Sequence, residues 1–253
     1  MKFQIKDAKK AMEWIELLKM FKSLSNDVTI TCTPEKMFIQ LMDMSHVCLV
    51  NVNIPSSWFH MYESDNYTFS VSIIILVKVF HMYTMDSLIE VIVNDDTGKI
   101  HINLIHELQQ KMFAIPLLNI EQDILAATTK VTNLDFVMKT RCLDKYINEL
   151  SMFGDDVEIE CIDDKIYLTS TNHEGCLKIE IKNETLEEFN VLEDYIFKGK
   201  YCIKYLQYIT KLAMIYPNIH LFMDETNPLV ITFEGTDIKL EYYVSPKFSD
   251  ETE

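Results

Sequence analysis

The chain has 253 residues, of which 48% are hydrophobic, 11% aromatic and 25% charged, a composition typical of a globular protein that can bury a core. Its 39 acidic residues outnumber 23 Lys and Arg, and the formal net charge of −16, taken over the whole chain, argues against a nucleic-acid partner. The longest aliphatic run, 73–77, is too short to span a bilayer, and the N-terminus has no apolar signal core, so we expect a soluble intracellular protein.

The first half of the chain begins with a short strand at 3–6 and a helix within 1–22. In this helix the apolar residues recur at intervals of three and four: Ala11, Trp14, Ile15, Leu18 and Phe21. Alternation with a period of two then predicts strands at 28–32, 37–41 and 47–54. A second helix is predicted at about 71–82, followed by strands at 88–93, 99–105 and 111–115.

The second half has the same order of elements. Its helices are predicted at 139–150 and about 200–213, and its strands at 135–139, 157–161, 166–169, 177–181, 219–223, 229–233 and 238–244. Two helices against a large antiparallel sheet, occurring twice, predict an α+β fold.

The two halves also match in sequence. NDVTITC at 26–32 matches DDVEIEC at 155–161 at an offset of 129 residues, and MFAIP at 112–116 matches the end of EYYVSP, 241–246, at an offset of 130. Because a near-constant offset is typical of a duplicated domain, we predict an N-terminal domain at 1–116, a connecting loop at 117–133 and a C-terminal domain at 134–253.

The cations are concentrated in the predicted helical stretches. The stretches 1–22, 71–82, 139–150 and 200–213 hold 13 Lys or Arg and 5 Asp or Glu, whereas the rest of the chain holds 10 and 34. This segregation indicates a basic helical surface that faces a polyanion. From charge alone, a helical face that is merely solvated explains the count equally well.

Catalytic signatures are largely missing. The five glycines are not spaced to cradle a phosphate, and the six cysteines contain no CxxC pair. The acids Asp155, Asp156, Asp163 and Asp164 have no partnering base, which disfavours a hydrolase or nuclease. We therefore expect a protein that is not an enzyme and that needs no cofactor or metal.

Two segments carry a family resemblance: IQLMDMSHVCLVNVNI at 39–54, and the terminal EYYVSPKFSDETE that follows NPLVITF. They resemble the proliferating cell nuclear antigen (PCNA) family, the eukaryotic-type DNA sliding clamps, whose hallmarks are a Met-Asp-x-Ser-His-Val segment and a Tyr-Tyr-x-x-Pro-Lys tail. The resemblance covers essentially the whole chain. It implies the DNA clamp fold, in which two duplicated domains each pack two helices on an antiparallel sheet, and a homotrimeric ring that encircles duplex DNA.

The resemblance further implies a processivity factor for DNA replication and repair. Such a clamp slides on DNA independently of sequence and tethers a polymerase, a clamp loader, a flap nuclease and a ligase through short peptide motifs. Ring closure is implied to join the segments 111–115 and 177–182 of neighbouring subunits.

Site residues are carried over by position. The matching DNA-binding positions are Lys9, Lys10, Lys78, His81, Lys145, Lys204 and Lys211, whereas Glu16, Asn148 and Met152 stand where the family often has a basic residue. The matching partner-binding positions are Met42, His46, Val47, Leu49, Ile120, Ile124, Leu125, Pro228, Tyr243, Val244, Ser245 and Pro246.

Two alternatives stay open. One is a subunit of a heteromeric checkpoint-type clamp, although the MDMSHV segment and the tail favour the replicative kind. The other concerns the source, because richness in Ile, Asn, Lys and Met suggests an AT-rich genome of cellular or viral origin. The expected location is accordingly the nucleus or a viral replication compartment.

Overall fold

The structure, a computed structural model, describes residues 1–94, 97–120, 125, 132–233 and 237–247. It divides into two compact units, one made of Met1–Leu125 with Asp237–Leu240 and the other of Ala126–Thr236 with Glu241–Glu253. Of the connecting loop predicted at 117–133, residues 121–124 and 126–131 lie outside the described residues. None of the described helices is long and apolar enough to cross a membrane.

Among the described residues of the first unit there are two α-helices and nine strands. The helices are α1 (Ala8–Lys22) and α2 (Ile73–Phe80), and the strands are β1 (Lys2–Ile5), β2 (Asp27–Cys32), β3 (Lys36–Met42), β4 (Cys48–Pro55), β5 (Met61–Glu63), β6 (Tyr67–Ser72), β7 (Leu88–Asn94), β8 (Lys99–His106) and β9 (Gln109–Pro116). Five strands pair in the order β5-β1-β7-β8-β9, and the other four pair in the order β6-β2-β3-β4. All of these pairings are antiparallel.

The second unit repeats this plan. Its helices are α3 (Thr140–Leu150) and α4 (Ile203–Thr210), and its strands are β10 (Leu134–Lys139), β11 (Asp156–Ile162), β12 (Lys165–Thr171), β13 (Cys176–Ile181), β14 (Leu186–Val191), β15 (Phe197–Cys202), β16 (Asn218–Met223), β17 (Leu229–Phe233) and β18 (Lys239–Val244). The strand orders are β13-β12-β11-β15 and β14-β10-β16-β17-β18, again antiparallel throughout.

The helices of each unit pack against each other and bury an apolar face. In α1 the predicted spacing is confirmed, because Ala11, Trp14 and Phe21 are all buried. The helix begins after Asp7, whose carboxylate accepts a hydrogen bond from the Lys10 amide at 3.0 Å. Fully burying an aromatic or aliphatic side chain contributes about 1.5–3 kcal/mol, so burial rather than intrinsic propensity decides where these helices lie.

Two of the predicted helices start too early. Val71 and Ser72 belong to β6, and Lys200–Cys202 belong to β15, because each strand pairs up to its last residue with β2 or β11. The chain then enters the helix at once, and the first helical amide is bonded in the same way in both units: Ile73 to the Asn26 carbonyl at 2.9 Å, and Ile203 to the Asp155 carbonyl at 2.8 Å.

The observed helix bounds give a different charge count. Four cations assigned to helical stretches lie outside the helices: Lys2, Lys6, Lys139 and Lys200. The four helices and the 3₁₀ turn Lys211–Met214 hold nine Lys or Arg against four Asp or Glu, so the excess of positive charge on the helices is smaller than predicted but persists.

Candidate nucleic-acid and partner interfaces

The first unit exposes cations along its packed helix pair. On α1 the residues Lys9, Met12 and Lys19 are exposed, with Glu16 half-buried between them, and on α2 the exposed cation is Lys78. Lys19 is neutralised by Glu16, with 2.5 Å between ammonium and carboxylate. Within the described part of the chain, Lys9 and Lys78 form no ion pair, so their charge is available to an external anion.

Lys10 differs from the other predicted DNA-binding residues. Its ammonium group donates to the Trp58 carbonyl at 2.6 Å and lies 5.4 Å from the centroid of the Trp58 ring, and the side chain is half-buried. The sequence pattern did not reveal this bond, which joins residues 48 positions apart. His81, which follows α2 directly, is exposed.

The second unit presents a similar face. On α3 the residues Arg141, Lys145 and Asn148 are exposed at helical spacing, and α4 with its following 3₁₀ turn exposes Lys204 and Lys211. A hydrogen bond of 3.2 Å from the Gln207 amide to the Asn148 side-chain oxygen joins the two helices on this face. Asn148, which stands at a position where the family often has a cation, is therefore part of a polar bridge.

Aromatic rings lie beneath two of these lysines. The ammonium of Lys204 is 4.6 Å from the centroid of Tyr205, and that of Lys211 is 5.4 Å from the centroid of Tyr208. Contacts of this kind hold a cation without neutralising it, at about 0.5–1 kcal/mol on an exposed surface. Lys145 lies 3.8 Å from Glu149, but both side chains are largely exposed, so this pair contributes little.

One further cation was missed by the sequence argument. Arg141 is the single arginine of the chain and is exposed in the first turn of α3. The residue type itself was a usable signal. A guanidinium binds a phosphate through two parallel hydrogen bonds, whereas an ammonium acts as a point charge.

The turn at 43–48, which contains most of the MDMSHV segment, is organised by one buried carboxylate. Asp43 accepts hydrogen bonds from the amides of Ser45 (3.0 Å), Val47 (2.8 Å) and Cys48 (2.7 Å). These bonds hold His46 at a φ of 57°, in the left-handed region. Met42, Val47 and Leu49 are half-buried around this turn, and His46 is exposed.

The connecting segment is attached to the first unit through its backbone. The Leu118 amide donates to the Ser70 carbonyl at 2.8 Å, and the Leu125 amide and carbonyl both bond to the side chain of Gln40. The side chains of Ile120 and Leu125 remain 40% and 42% exposed. Ile124 lies outside the described residues.

The tail residues lie in the second unit. Tyr243 and Val244 are buried at the end of β18, whereas Pro228, Ser245 and Pro246 are half-buried. Lys247 continues the tail, where its amide donates to the Lys200 carbonyl at 2.7 Å and its ammonium pairs with Asp156. The bond to Asp156 raises the pKa of the Lys247 ammonium, so this contact is retained throughout the physiological range.

In each unit, the strand for which ring closure was predicted lies at the edge of its sheet. β9 is the last strand of its sheet in the first unit, and β13 is the last strand in the second. On β9 the side chain of Met112 is 73% exposed, and on β13 the residues Leu177 and Ile179 are half-buried. Across the described residues no cluster of His, Cys, Asp and Glu could hold a metal ion.

Comparison with known proteins gives consistent results. A family model described as proliferating cell nuclear antigen, N-terminal domain, matches residues 7–125. Proliferating cell nuclear antigen 2 of Drosophila melanogaster is 21% identical over 239 residues, which cover 93% of this chain and 94% of that protein. The protein of the same name from Plasmodium falciparum is 21% identical over 252 residues, covering 93% and 95%.

Solved structures agree with these relatives. The crystal structure of proliferating cellular nuclear antigen from Entamoeba histolytica superposes with a TM-score of 0.88 at 19% identity and covers 98% of both chains. The predicted clamp fold is thereby confirmed. The duplicated fold, the family model over residues 7–125 and the two relatives together support the predicted likeness of this chain to a clamp of the PCNA type.

Proposed function

We propose that three copies of this chain form a closed ring around duplex DNA and act, without enzymatic activity, as a processivity factor in replication and repair. The observation that carries the proposal is the charge distribution. A chain with a net charge of −16 places nine cations and only four acids on the helices and adjoining 3₁₀ turn of its two units. An acidic protein with basic helices suits a ring whose helices face DNA and whose remaining surface does not.

The DNA contacts proposed here are to phosphates only. Lys9, Lys78, His81, Lys145, Lys204 and Lys211 are exposed, and Arg141 joins them, whereas Lys10 is engaged by Trp58. Lysines that neutralise phosphates release counterions whatever the base sequence, which gives affinity without a fixed register. A ring held in this way can slide along the duplex.

Ring closure is proposed to join β9 of one subunit to β13 of the next. Both strands are sheet edges, and each carries apolar side chains that are not fully buried within the chain. Pairing of the two edges would satisfy their free main-chain groups and cover Met112, Leu177 and Ile179. This arrangement places the same two surfaces in contact three times.

Partners are proposed to bind through short peptides with aliphatic and aromatic anchors. The residues proposed to bind such peptides are Met42, His46, Val47, Leu49, Ile120, Ile124, Leu125, Pro228, Tyr243, Val244, Ser245 and Pro246. Support comes from the ordered turn at Asp43 and from the exposed apolar side chains of the connecting segment. A polymerase, a clamp loader, a flap nuclease and a ligase are the proposed partners, in the nucleus of a eukaryote or in the replication compartment of a virus.

A topological test addresses encirclement directly. The protein is loaded onto a nicked circular plasmid with a clamp loader and ATP, and the DNA-bound fraction is isolated by gel filtration in high salt. The proposal predicts that the protein stays with the circle and is released when the plasmid is cut once with a restriction enzyme. Retention on the linear plasmid, or loss from the circle in high salt, would contradict encirclement.

The checkpoint-type alternative differs in subunit composition. A homotrimer has a mass of about 90 kDa, three times the 29.7 kDa chain. If light scattering gives this molar mass for the purified protein, a homotrimeric ring is supported. A protein that is monomeric alone and assembles only with other subunits would support the alternative.

A further inference from the structure

A row of polar side chains crosses four strands of the first unit. Ser70 on β6, Thr29 on β2, Gln40 on β3 and Asn51 on β4 are direct cross-strand neighbours, so all four point to the same face of the sheet. Ser70, Gln40 and Asn51 are buried, with exposures of 3–4%. Burying a polar group costs free energy unless the group forms a hydrogen bond. The side chains of this row therefore need hydrogen-bond partners.

Hydrogen bonds link the row in pairs. The hydroxyls of Thr29 and Ser70 are 2.8 Å apart, and the Gln40 amide nitrogen donates to the Asn51 side-chain oxygen at 2.8 Å. The two pairs meet the connecting segment at different points, because the Ser70 carbonyl binds the Leu118 amide and Gln40 binds Leu125.

Gln40 bonds to Leu125 as one β-strand bonds to another. Its side-chain oxygen accepts from the Leu125 amide at 2.8 Å, and its nitrogen donates to the Leu125 carbonyl at 3.0 Å. The orientation of the carboxamide follows from its partners. A flipped group would turn its oxygen toward both the Leu125 carbonyl and the Asn51 oxygen, which are acceptors.

The bonds to Gln40 involve only the backbone of Leu125, so its side chain is not part of the contact. The connecting segment is bonded to the first unit at two described residues, Leu118 and Leu125. Its apolar side chains at 120 and 125 nevertheless remain about two-fifths exposed. A residue whose backbone is held like that of Leu125 presents its apolar side chain to a partner at little further ordering cost.

From this geometry we propose that Gln40 is a positioning residue for partner docking, which holds the backbone of Leu125 where its side chain can contact the peptide. The inference rests on the docking function proposed above and assigns it a residue that contacts the segment rather than the peptide. A net hydrogen bond changes an equilibrium by a factor of about 2 to 12, so loss of the two bonds to Leu125 should weaken peptide binding about 10-fold.

The test uses the full-length ring with Gln40→Met, which keeps the length of the side chain but removes both bonds to Leu125. Hydrogen exchange of the Leu125 amide reports the contact between Gln40 and Leu125. It is followed by NMR, or by mass spectrometry of the proteolytic fragment that contains Leu125. Fluorescence anisotropy of a labelled synthetic peptide with aliphatic and aromatic anchors reports docking. The matched control is Thr29→Val, which removes a hydrogen bond from the same row without touching Leu125.

We expect Gln40→Met to accelerate exchange at Leu125 at least 10-fold and to weaken peptide binding about 10-fold, while Thr29→Val leaves both near wild type. If Gln40→Met does not assemble as a ring, Gln40→Glu serves, because it keeps the shape but turns a carboxylate toward the Leu125 carbonyl. Unchanged exchange at Leu125, or faster exchange with unchanged peptide affinity, would overturn the role of Gln40. If the wild-type ring does not bind the peptide, the proposed docking function is overturned. The exchange data would still test the contact between Gln40 and Leu125.

Discussion

Replacing Lys78, Lys204 and Lys211 by Ala removes exposed ammonium groups from the helical faces of both units. Lys78 forms no ion pair within the described residues, and the other two lysines contact only tyrosine rings among them. Because no internal salt bridge is broken, the variant should fold and assemble as the wild type does. Its defect should appear in DNA binding and loading alone.

The size of the defect follows from counterion release. Each phosphate contact contributes about 0.9 to the slope of log affinity against log salt. A ring carries nine copies of these three lysines, and if about one in three touches the duplex at a time, the slope falls by ~2.7. Raising the salt from ~50 to ~200 mM would then weaken the variant about 40-fold less than the wild type.

The assay measures the affinity of the purified ring for short linear duplex DNA over a range of salt concentrations, because on open DNA the affinity depends on phosphate contacts and not on topological linkage. The matched control is the triple variant Lys36→Ala, Lys99→Ala and Lys165→Ala, which makes the same change in net charge at exposed lysines on strands. We expect the control to keep the wild-type slope. Equal slopes for the helix variant and the wild type would refute the idea that these helices face DNA.

Three further predictions concern other parts of the chain. Leu49→Asp should abolish binding of the anchor peptide, measured by anisotropy, because a charge in an anchor pocket typically costs ~2 kcal/mol or more; an unchanged affinity would remove this residue from the docking surface. Ile179→Asp on the β13 edge should convert the species of about 90 kDa into one of about 30 kDa by light scattering, and a persistent trimer would place the ring contact elsewhere. Glu90 is bonded to Lys2, Asn103 and Gln4, which lowers its pKa from 4.5 to about 2. Its carboxylate therefore stabilises the fold above about pH 4.5 and loses this effect as the pH falls toward 2, so Glu90→Gln should lower the free energy of unfolding by about 1–2 kcal/mol near pH 7 and by less than half of that near pH 3. Urea unfolding at the two pH values measures this difference, and an equal loss at both would show that ionisation of Glu90 is not the cause.

Much of the fold follows from apolar periodicity. The spacing in α1 and α3 predicts both helices, and nearly all of the predicted strands occur within one or two residues of their predicted bounds. The errors at α2 and α4 have a local cause. No glycine or proline separates β6 from Ile73 or β15 from Ile203, so nothing in the sequence marks the change of period.

Other strands were missed for a different reason. β14 has the sequence LEEFNV and exposes most of its charged residues, and β5 has only three residues, so neither shows the apolar alternation that predicts a strand. They are strands because β10 and β1 supply main-chain partners. Such pairing is decided by distant parts of the chain and not by local composition.

In the candidate site, too, local features could be predicted from the sequence and long-range contacts could not. Exposed lysines at helical spacing could be predicted, because a helical face is a local property. The bonds that distinguish individual residues join positions far apart, such as Lys10 to Trp58 and Gln40 to Leu125, which are separated by 48 and 85 residues. A single sequence carries no signal for these pairs.

The central claim is that this chain is a processivity clamp, and the most direct measurement is the length of DNA made in one binding event. A polymerase that uses this clamp extends a primer on circular single-stranded DNA, with excess trap DNA to prevent rebinding, in the presence or absence of the protein and a clamp loader. We expect long products only when protein, loader and ATP are all present, and short products with the variant lacking Lys78, Lys204 and Lys211. Products of equal length with and without the protein, under conditions where the loader acts on a known clamp, would contradict this claim.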